Sequence, residues 1–376
     1  MQLIPIEAIQ HQLLAGTTLP WNVRNARGAL LLAKGLRVTD EVMAAALRQR
    51  GVFVDAADLP PGLECVADDR PSAGLAQRWY ALEDGLGSVL RDAEHPTFLA
   101  RTQEAVAQLL ALTEGNTHEL IFLIVRHDHV RFAGYGVAHS LHTATLCSLL
   151  SRQLNWSAAE RTSLLGAALT MNLSMLELQG VMATRATGPS ASERQQIREH
   201  PHASARLLRA AGLADGAWLS AVEQHHEVSG GGGYPAGVHA PCEMSQMLRF
   251  IDSFTAKHSP RAGRKPLPAQ QAARDLFLQS SGDPLASLLI KELGIFPPGC
   301  YVKLASGEIA VVTHPGESAK TPLVAALTNR HGDALGQPIP RDTSRTGHGI
   351  VGTVPDQAVK LKVSAEDLYE RRGAPA

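Results

Sequence analysis

The stretch HHEVSGGGGYPAG, residues 225–237, places two adjacent histidines and a glutamate before four glycines, a tyrosine and a proline. Neighbouring residues on a helix point about 100° apart, so two adjacent imidazoles can reach one centre only where the helix ends. The glycines from Gly230 onward supply such an end. The pattern therefore indicates a metal site at a helix end. The alternative is a pair of surface histidines before a flexible loop.

The composition of the chain is ordinary for a globular protein and argues against several classes. Hydrophobic residues make up 44% and charged residues 19%, and the formal net charge is −1, which gives no support to a nucleic-acid binder. The four cysteines lie far apart without C-x-x-C spacing, which fits a reducing compartment. The first residues do not resemble a signal peptide, and the apolar run LIFLIV at 120–125 is far shorter than the ~20 residues of a membrane span. We expect a cytoplasmic protein without a membrane span and without a DNA partner.

Patterns of hydrophobic residues divide the chain into five segments. Short apolar runs broken by turns predict strands near the N-terminus, with a short helix in VTDEVMAAALRQRGVFV. Helical periodicity dominates from 75 to 293, with capping-box spacing at Ser157 and Ser190, and strand-like alternation returns in CYVKL and IAVVT. The fold class is mainly α. The predicted domains are a small β-rich module at 1–57, a linker at 58–74, connecting helices at 75–115, a helical core at 116–298, and a C-terminal β subdomain with a tail at 299–376.

The histidine stretch resembles the signature of the HD-GYP family, in which His-His-Glu is followed by Gly-x-Gly-Tyr-Pro-x-Gly. The flanking segments EHPHASARLL, VAHSLHTATL and RFIDSFTA resemble segments that carry metal ligands in this family, and PRAGRKP resembles the one that grips substrate phosphates. The metal ligands implied by the resemblance are His139, His200, His225, His226 and Asp252. The substrate-binding residues that it implies are Gly233, Tyr234, Pro235, Arg261 and Arg264.

The resemblance covers roughly 116–315 and implies an all-helical core of the HD superfamily. The family is bacterial and hydrolyses the second messenger cyclic di-GMP with a cluster of two or three metal ions, often iron. Paired metal ions neutralise phosphate charge and lower the pKa of a bridging water, so that hydroxide forms near neutral pH. In the family an aspartate bridges two of the ions.

The sequence departs from the family in the segment AALTMNLSM, residues 167–175, which aligns with the family's His-Asp segment. Met171 stands at the histidine position, Asn172 at the position of the bridging aspartate, and Met175 at that of a lysine. Methionine is a soft, weak ligand, and asparagine offers one neutral oxygen without negative charge. A working two-metal centre is therefore not expected.

The dipeptide His127-Asp128 is not the missing pair, because it precedes the His139 segment where the family's pair follows it.

Three functional hypotheses remain. We predict a degenerate HD-GYP protein that acts in cyclic di-GMP signalling by binding the nucleotide or a signalling protein, with little or no hydrolysis, and we assign no catalytic residue. One alternative is a phosphodiesterase of reduced activity that holds a single divalent ion (Fe, Mn, Ni or Zn) at His200, His225 and His226, which otherwise form a metal-free pocket. The other is an interaction scaffold that binds neither metal nor nucleotide. Whether the chain is an enzyme stays open, as does a homodimer.

Overall fold

The structure is a computed structural model that describes residues 3–5, 17–24, 30–38, 53–55, 58, 74–126, 134–264, 266–279, 284–359, 361 and 363–369. The helix predicted in VTDEVMAAALRQRGVFV, most of the linker and the dipeptide His127-Asp128 lie outside these residues. The chain divides into two compact units, Met1–Ser72 and Ala73–Ala376, which are described separately.

The first unit contains a small antiparallel sheet. Its strands are β1 (Leu3–Pro5), β2 (Val23–Arg24), β3 (Leu30–Leu32) and β4 (Phe53–Asp55), in the order β1-β4-β2-β3. Val54 pairs with Ile4 on one side and with Val23 on the other. The fully buried side chains of Val23, Val54 and Trp21 form its apolar side. The β-rich character predicted for the N-terminal module is confirmed.

Helices fill most of the described part of the second unit, so the mainly α fold class is also confirmed. They are α1 (Leu75–Leu90), α2 (Phe98–Thr113), α3 (Thr117–Val125), α4 (Tyr135–Gln153), α5 (Ala158–Thr170), α6 (Leu176–Ala183), α7 (Ala191–Ala210), α8 (Gly216–Gln224), α9 (Glu243–His258), α10 (Ala269–Gln279), α11 (Pro284–Leu293) and α12 (Ala365–Tyr369).

Local sequence signals explain where two of the helices near the site begin. Ser157 and Ser190 are the N-caps of α5 and α7, and each forms a complete capping box with the glutamate three residues later. Helix α4 lies at the centre of the unit, since every residue from Tyr135 to Ser151 is buried. A helix that is buried all round belongs to a core, and α4 contacts both α5 and α9.

A five-stranded antiparallel sheet packs on the helices. Its strands are β5 (Tyr301–Leu304), β6 (Ile309–His314), β7 (Leu323–Thr328), β8 (Ala334–Asp342) and β9 (Ile350–Thr353), in the order β8-β7-β6-β5-β9. The predicted C-terminal β structure is confirmed, and it extends beyond the strands that the alternation indicated. Tyr301 and Val311 belong to the same hydrophobic cluster as Phe122 of α3. The apolar run 120–125 is therefore covered by protein.

One helical stretch of the described residues, Ala158–Ala183, is long and apolar enough to pass a test for a membrane span. Within its most apolar window 78% of the residues are buried inside the protein. The core helix of a folded domain passes the same test.

Candidate metal centre

Three of the predicted ligands converge where the end of one helix meets the middle of another. His200 lies in the middle of α7, and His225 and His226 follow directly after α8. His200 and His225 are buried and His226 is partly buried. One ring nitrogen from each of the three lies within 4.8 Å of the others. The helix end that the glycines predicted thus brings both adjacent imidazoles to one centre.

Two of these imidazoles are oriented by backbone carbonyls. The Nδ1 atom of His200 lies 2.6 Å from the carbonyl oxygen of Ile197. The Nδ1 atom of His225 lies 2.7 Å from that of Val222. Because a carbonyl oxygen only accepts, both Nδ1 atoms carry the hydrogen, and each neutral ring presents a lone pair at Nε2. This second contact is what commonly fixes a metal-binding histidine.

The Nε2 atoms of His200 and His225 are 3.0 Å apart. Burial, helped by the positive charge of a protonated His226, lowers the pKa of His200 to about 4. Burial also lowers the pKa of His225 and of His226. The three rings are therefore neutral near pH 7, and two lone pairs face each other across 3.0 Å. Such an arrangement repels itself unless a cation lies between the rings, so these residues fit a divalent metal ion.

His139 and Asp252, the other two predicted ligands, are joined to each other. The Nε2 atom of His139, on α4, lies 2.7 Å from the Oδ1 atom of Asp252, on α9. Burial opposes ionisation of Asp252, but the hydrogen bond from His139 and the nearby imidazoles hold its pKa below the usual range. His139 Nδ1 is buried and has no hydrogen-bond partner among the described residues. The pair thus places a carboxylate near the three-histidine cluster without being part of it.

The segment AALTMNLSM lies beside the cluster. Met171 caps the C-terminus of α5, and Asn172 follows it, both almost completely buried. In the next turn Ser174 donates a hydrogen bond of 3.1 Å to the carbonyl oxygen of His200. The side-chain nitrogen of Asn172, Nδ2, is buried and has no hydrogen-bond partner among the described residues. Met175, which the sequence predicts at the position of the family's lysine, is 9% exposed.

The loop after His226 is built around the carboxylate of Glu227. Its two oxygens accept hydrogen bonds from three successive backbone amides, those of Ala236 (2.7 Å), Gly237 (3.1 Å) and Val238 (3.0 Å). Glu227 is 1% exposed, so these three bonds compensate for the loss of water around its charge. Glu227 therefore shapes the loop.

Close backbone approach explains one glycine of this loop. A Cβ atom on Gly233 would lie 2.5 Å from Cα of Glu227 and 2.6 Å from the backbone nitrogen of Val228. Neither neighbour can move without opening the loop, so only glycine fits. Gly231 has a φ of +86°, in the left-handed region that favours glycine.

Tyr234 and Pro235 continue from this glycine. The Tyr234 ring stacks on His226, with ring centroids 4.5 Å apart and 25° between the planes. The guanidinium of Arg198, on α7, lies 6.0 Å from the centroid of the Tyr234 ring. Burial raises the pKa of Tyr234, which keeps the phenol neutral. The peptide bond between Tyr234 and Pro235 is cis.

The predicted phosphate-binding arginines lie in a closed turn after α9. The backbone nitrogen of each donates to the carbonyl oxygen of the other, at 3.3 Å from Arg261 and 3.0 Å from Arg264. Arg264 also donates a side-chain hydrogen bond to the carbonyl oxygen of Ala256. Burial and the positive charge of Arg261 lower the pKa of Arg264. The two guanidinium groups thus belong to one short turn, in which Arg261 donates to Tyr135 and Arg264 to a backbone carbonyl oxygen.

Two residues that make clear contacts at the site were not indicated by the sequence. Tyr135 stacks on His139, with centroids 5.5 Å apart, and accepts a hydrogen bond from Arg261. Arg198 lies beside Tyr234. The signal for Tyr135 was its position four residues before His139, which puts both side chains on one face of a helix. No local signal pointed to Arg198.

Comparisons with known proteins bear on the family and the fold of the chain. The family model of the HD domain matches residues 96–283, half of the chain. The chain is 26% identical over 339 residues to the cyclic di-GMP phosphodiesterase PA4108 of Pseudomonas aeruginosa, covering 87% of this chain and 80% of the relative. The structure of Bd1817, an HDG"Y"P protein from Bdellovibrio bacteriovorus, superposes with a TM-score of 0.50 at 14% identity, covering 76% of this chain and 96% of that one. At such low identity the superposition shows a shared fold.

Proposed function

We propose that this chain, which belongs to the HD-domain family and within it to the HD-GYP group, binds cyclic di-GMP and hydrolyses it slowly or not at all. The name of the P. aeruginosa relative supports the choice of ligand. In this proposal the protein acts in the bacterial cytoplasm and passes the signal to a protein partner.

The observation that carries the proposal is the position of Asn172 beside a cluster without a carboxylate. The turn after Asn172 contacts His200 through Ser174, and the group of metal-ligating side chains found among the described residues consists of histidines alone. Paired-metal hydrolysis needs a shared anionic ligand between its two ions. A neutral amide brings no charge to balance a second divalent ion. A site for one ion, or for none, follows.

The three imidazoles are the residues that would hold that ion. Imidazole nitrogens suit Zn, Ni, Fe and Mn, and the carbonyl bonds at Nδ1 already orient two of the rings. A bound ion of this kind supplies positive charge for a phosphate oxygen and acidifies a bound water. Asp252, held by His139, offers a hydrogen-bond acceptor nearby. A metal-free pocket is the competing state of the same residues.

The cationic groups around the cluster support a phosphate-bearing ligand. Arg261 and Arg264 lie in one turn after α9, and Arg198 lies next to Tyr234, whose ring stacks on His226. Guanidinium groups bind phosphate oxygens with two parallel hydrogen bonds, which fits a cyclic dinucleotide with two phosphodiesters. In the proposal Gly233 and Pro235 shape the wall against which Tyr234 is held.

A second candidate function is a phosphodiesterase of reduced activity with a single metal ion. The facing lone pairs of His200 and His225 favour it, since their arrangement fits a cation. The scaffold hypothesis, in which neither metal nor nucleotide binds, gains no support from these contacts.

One experiment separates the candidates. Protein purified without oxygen is loaded with Fe or Mn, titrated with cyclic di-GMP in a calorimeter, and then incubated with it while the nucleotides are followed by chromatography. We expect saturable binding without accumulation of linear pGpG or GMP. Steady product formation that disappears together with the metal in His226→Ala would support the phosphodiesterase instead.

The matched control is His202→Ala, which removes a half-exposed histidine two positions after His200. It should keep metal, binding and any turnover at the level of the unchanged protein. Absence of any heat of binding by the unchanged protein would contradict the proposed function and favour the scaffold.

A further inference from the structure

A contact between Tyr135 and Arg261 joins two elements that are far apart in the chain. Nη2 of Arg261 donates a hydrogen bond of 2.6 Å to the phenolic oxygen of Tyr135, across 126 residues of sequence. The guanidinium carbon also lies 4.7 Å from the centroid of the same ring. Tyr135 is the first residue of α4 and is 6% exposed. The hydrogen bond and the ring contact together restrict where the guanidinium can lie.

The hydrogen-bonding capacity of this pair is not used up. Nε of Arg261 is buried and has no acceptor among the described residues. A phenol is protonated at neutral pH, so Tyr135 keeps its hydroxyl hydrogen. Because its oxygen accepts from Arg261, the hydroxyl hydrogen of Tyr135 remains for another acceptor. Two adjacent donors without an acceptor are what an anionic oxygen would satisfy.

The ring of Tyr135 also contacts a residue next to the candidate metal centre. The Tyr135 and His139 rings are nearly parallel, at 14° and with centroids 5.5 Å apart. His139 in turn bonds Asp252. Successive contacts thus connect Arg261, Tyr135, His139 and Asp252, from the arginine turn to the carboxylate beside the histidine cluster.

We infer that Tyr135 is a residue of the phosphate-binding site, which fixes the guanidinium of Arg261 and donates its own hydroxyl hydrogen to the same phosphodiester oxygen. This inference rests on the proposed function and adds to it a binding residue outside the motifs that resemble the family. The alternative is that Tyr135 has only a structural role at the start of α4. The alternative predicts no coupling between Tyr135 and Arg261 in ligand binding.

A double-mutant cycle tests the coupling. The affinity for cyclic di-GMP is measured by calorimetry for the unchanged protein, Tyr135→Phe, Arg261→Ala and the double variant. Phenylalanine keeps the ring and its stacking and removes only the hydroxyl. We expect Tyr135→Phe to weaken binding by about 10-fold, the size of a lost hydrogen bond to a charged group. In the Arg261→Ala background the same change should have less than about a 2-fold effect, because the two residues act together.

The control is Tyr80→Phe, the same chemical change at a 43% exposed tyrosine of α1, which should leave the affinity unchanged. An unchanged affinity of Tyr135→Phe, or an equal loss in both backgrounds, would overturn the inference and leave the proposed function standing. If Tyr135→Phe does not fold, Tyr135→Leu replaces it in the cycle, and a loss of about 10-fold or more that nearly disappears in the Arg261→Ala background is again expected. Failure of the unchanged protein to bind would overturn the proposed function, and the inference with it.

Discussion

At the scale of the residue, we predict that the thioether of Met171 and the amide of Asn172 stand where the HD-GYP group has its His-Asp pair. Both side chains are buried, and the turn that follows them touches His200. Because both side chains are neutral, the group of side chains among the described residues that could hold a metal ion consists of the three imidazoles. In the proposed function, the difference between binding and hydrolysis therefore depends mainly on these two adjacent positions.

Restoring this pair is expected to restore a second metal ion. The variant Met171→His/Asn172→Asp brings back an imidazole and a bridging carboxylate, so the metal content should rise from about one to about two ions per chain, with hydrolysis of cyclic di-GMP appearing. Elemental analysis of protein purified without oxygen measures the content. Met171→His alone is the control and should stay near one ion, because it adds no negative charge. A double variant that folds and still holds one ion or none would contradict the assignment of these positions.

At the scale of the element, helices α5 and α8 determine how the two halves of the site face each other. Helix α5 ends at the Met171 segment, and α8 ends at His225. They meet where the buried ring of Trp218 lies over Gly166, and the indole nitrogen donates a 2.9 Å hydrogen bond to Thr170. A Cβ atom on Gly166 would lie 2.4 Å from the ring. The contact thus fixes the distance between the helices.

Two glycine substitutions should have opposite effects. Gly166→Ala is expected to lower the free energy of unfolding by about 1–3 kcal/mol, because the ring or the helix must shift. Gly85→Ala, in α1 where a Cβ would meet nothing within 4 Å, should raise it by about 0.5–1 kcal/mol through helix propensity. Urea unfolding monitored by circular dichroism measures both. Equal effects of the two substitutions would show that the α5–α8 contact is looser than the structure has it.

At the scale of the whole molecule, the unit Ala73–Ala376 has a large hydrophobic core in which helices and part of the C-terminal sheet pack together. Arg126, just after α3, forms an ion pair with Asp356 and lies 4.4 Å from the centroid of the Tyr301 ring. Tyr369 of α12 lies edge-on to Phe122, with centroids 5.7 Å apart. The sheet and the last helix therefore shield the apolar surface of α3.

Truncations on the two sides of the unit should behave differently. A chain of residues 73–376 is expected to fold with the same metal content as the full chain, because it keeps this core complete. A chain of residues 73–298 exposes the apolar surface of α3 and should aggregate or unfold at a much lower temperature. Thermal unfolding and size-exclusion chromatography compare the two. A stable, monomeric 73–298 would contradict the shared core.

Local patterns of the sequence determined the helical character of the second unit, the starts of α5 and α7 and the convergence of adjacent histidines after α8. These depend on residues within one or two turns of each other, so periodicity and capping are enough to predict them. The roles given to Asp252, Arg261 and Tyr234 came from the resemblance, and their function stays a prediction. Only the tertiary structure set the 3.0 Å approach of two lone pairs, the pairing of His139 with Asp252 and the hold of Tyr135 on Arg261. Those contacts join residues 25, 113 and 126 positions apart, and no local pattern specifies them because packing of the whole core brings them together.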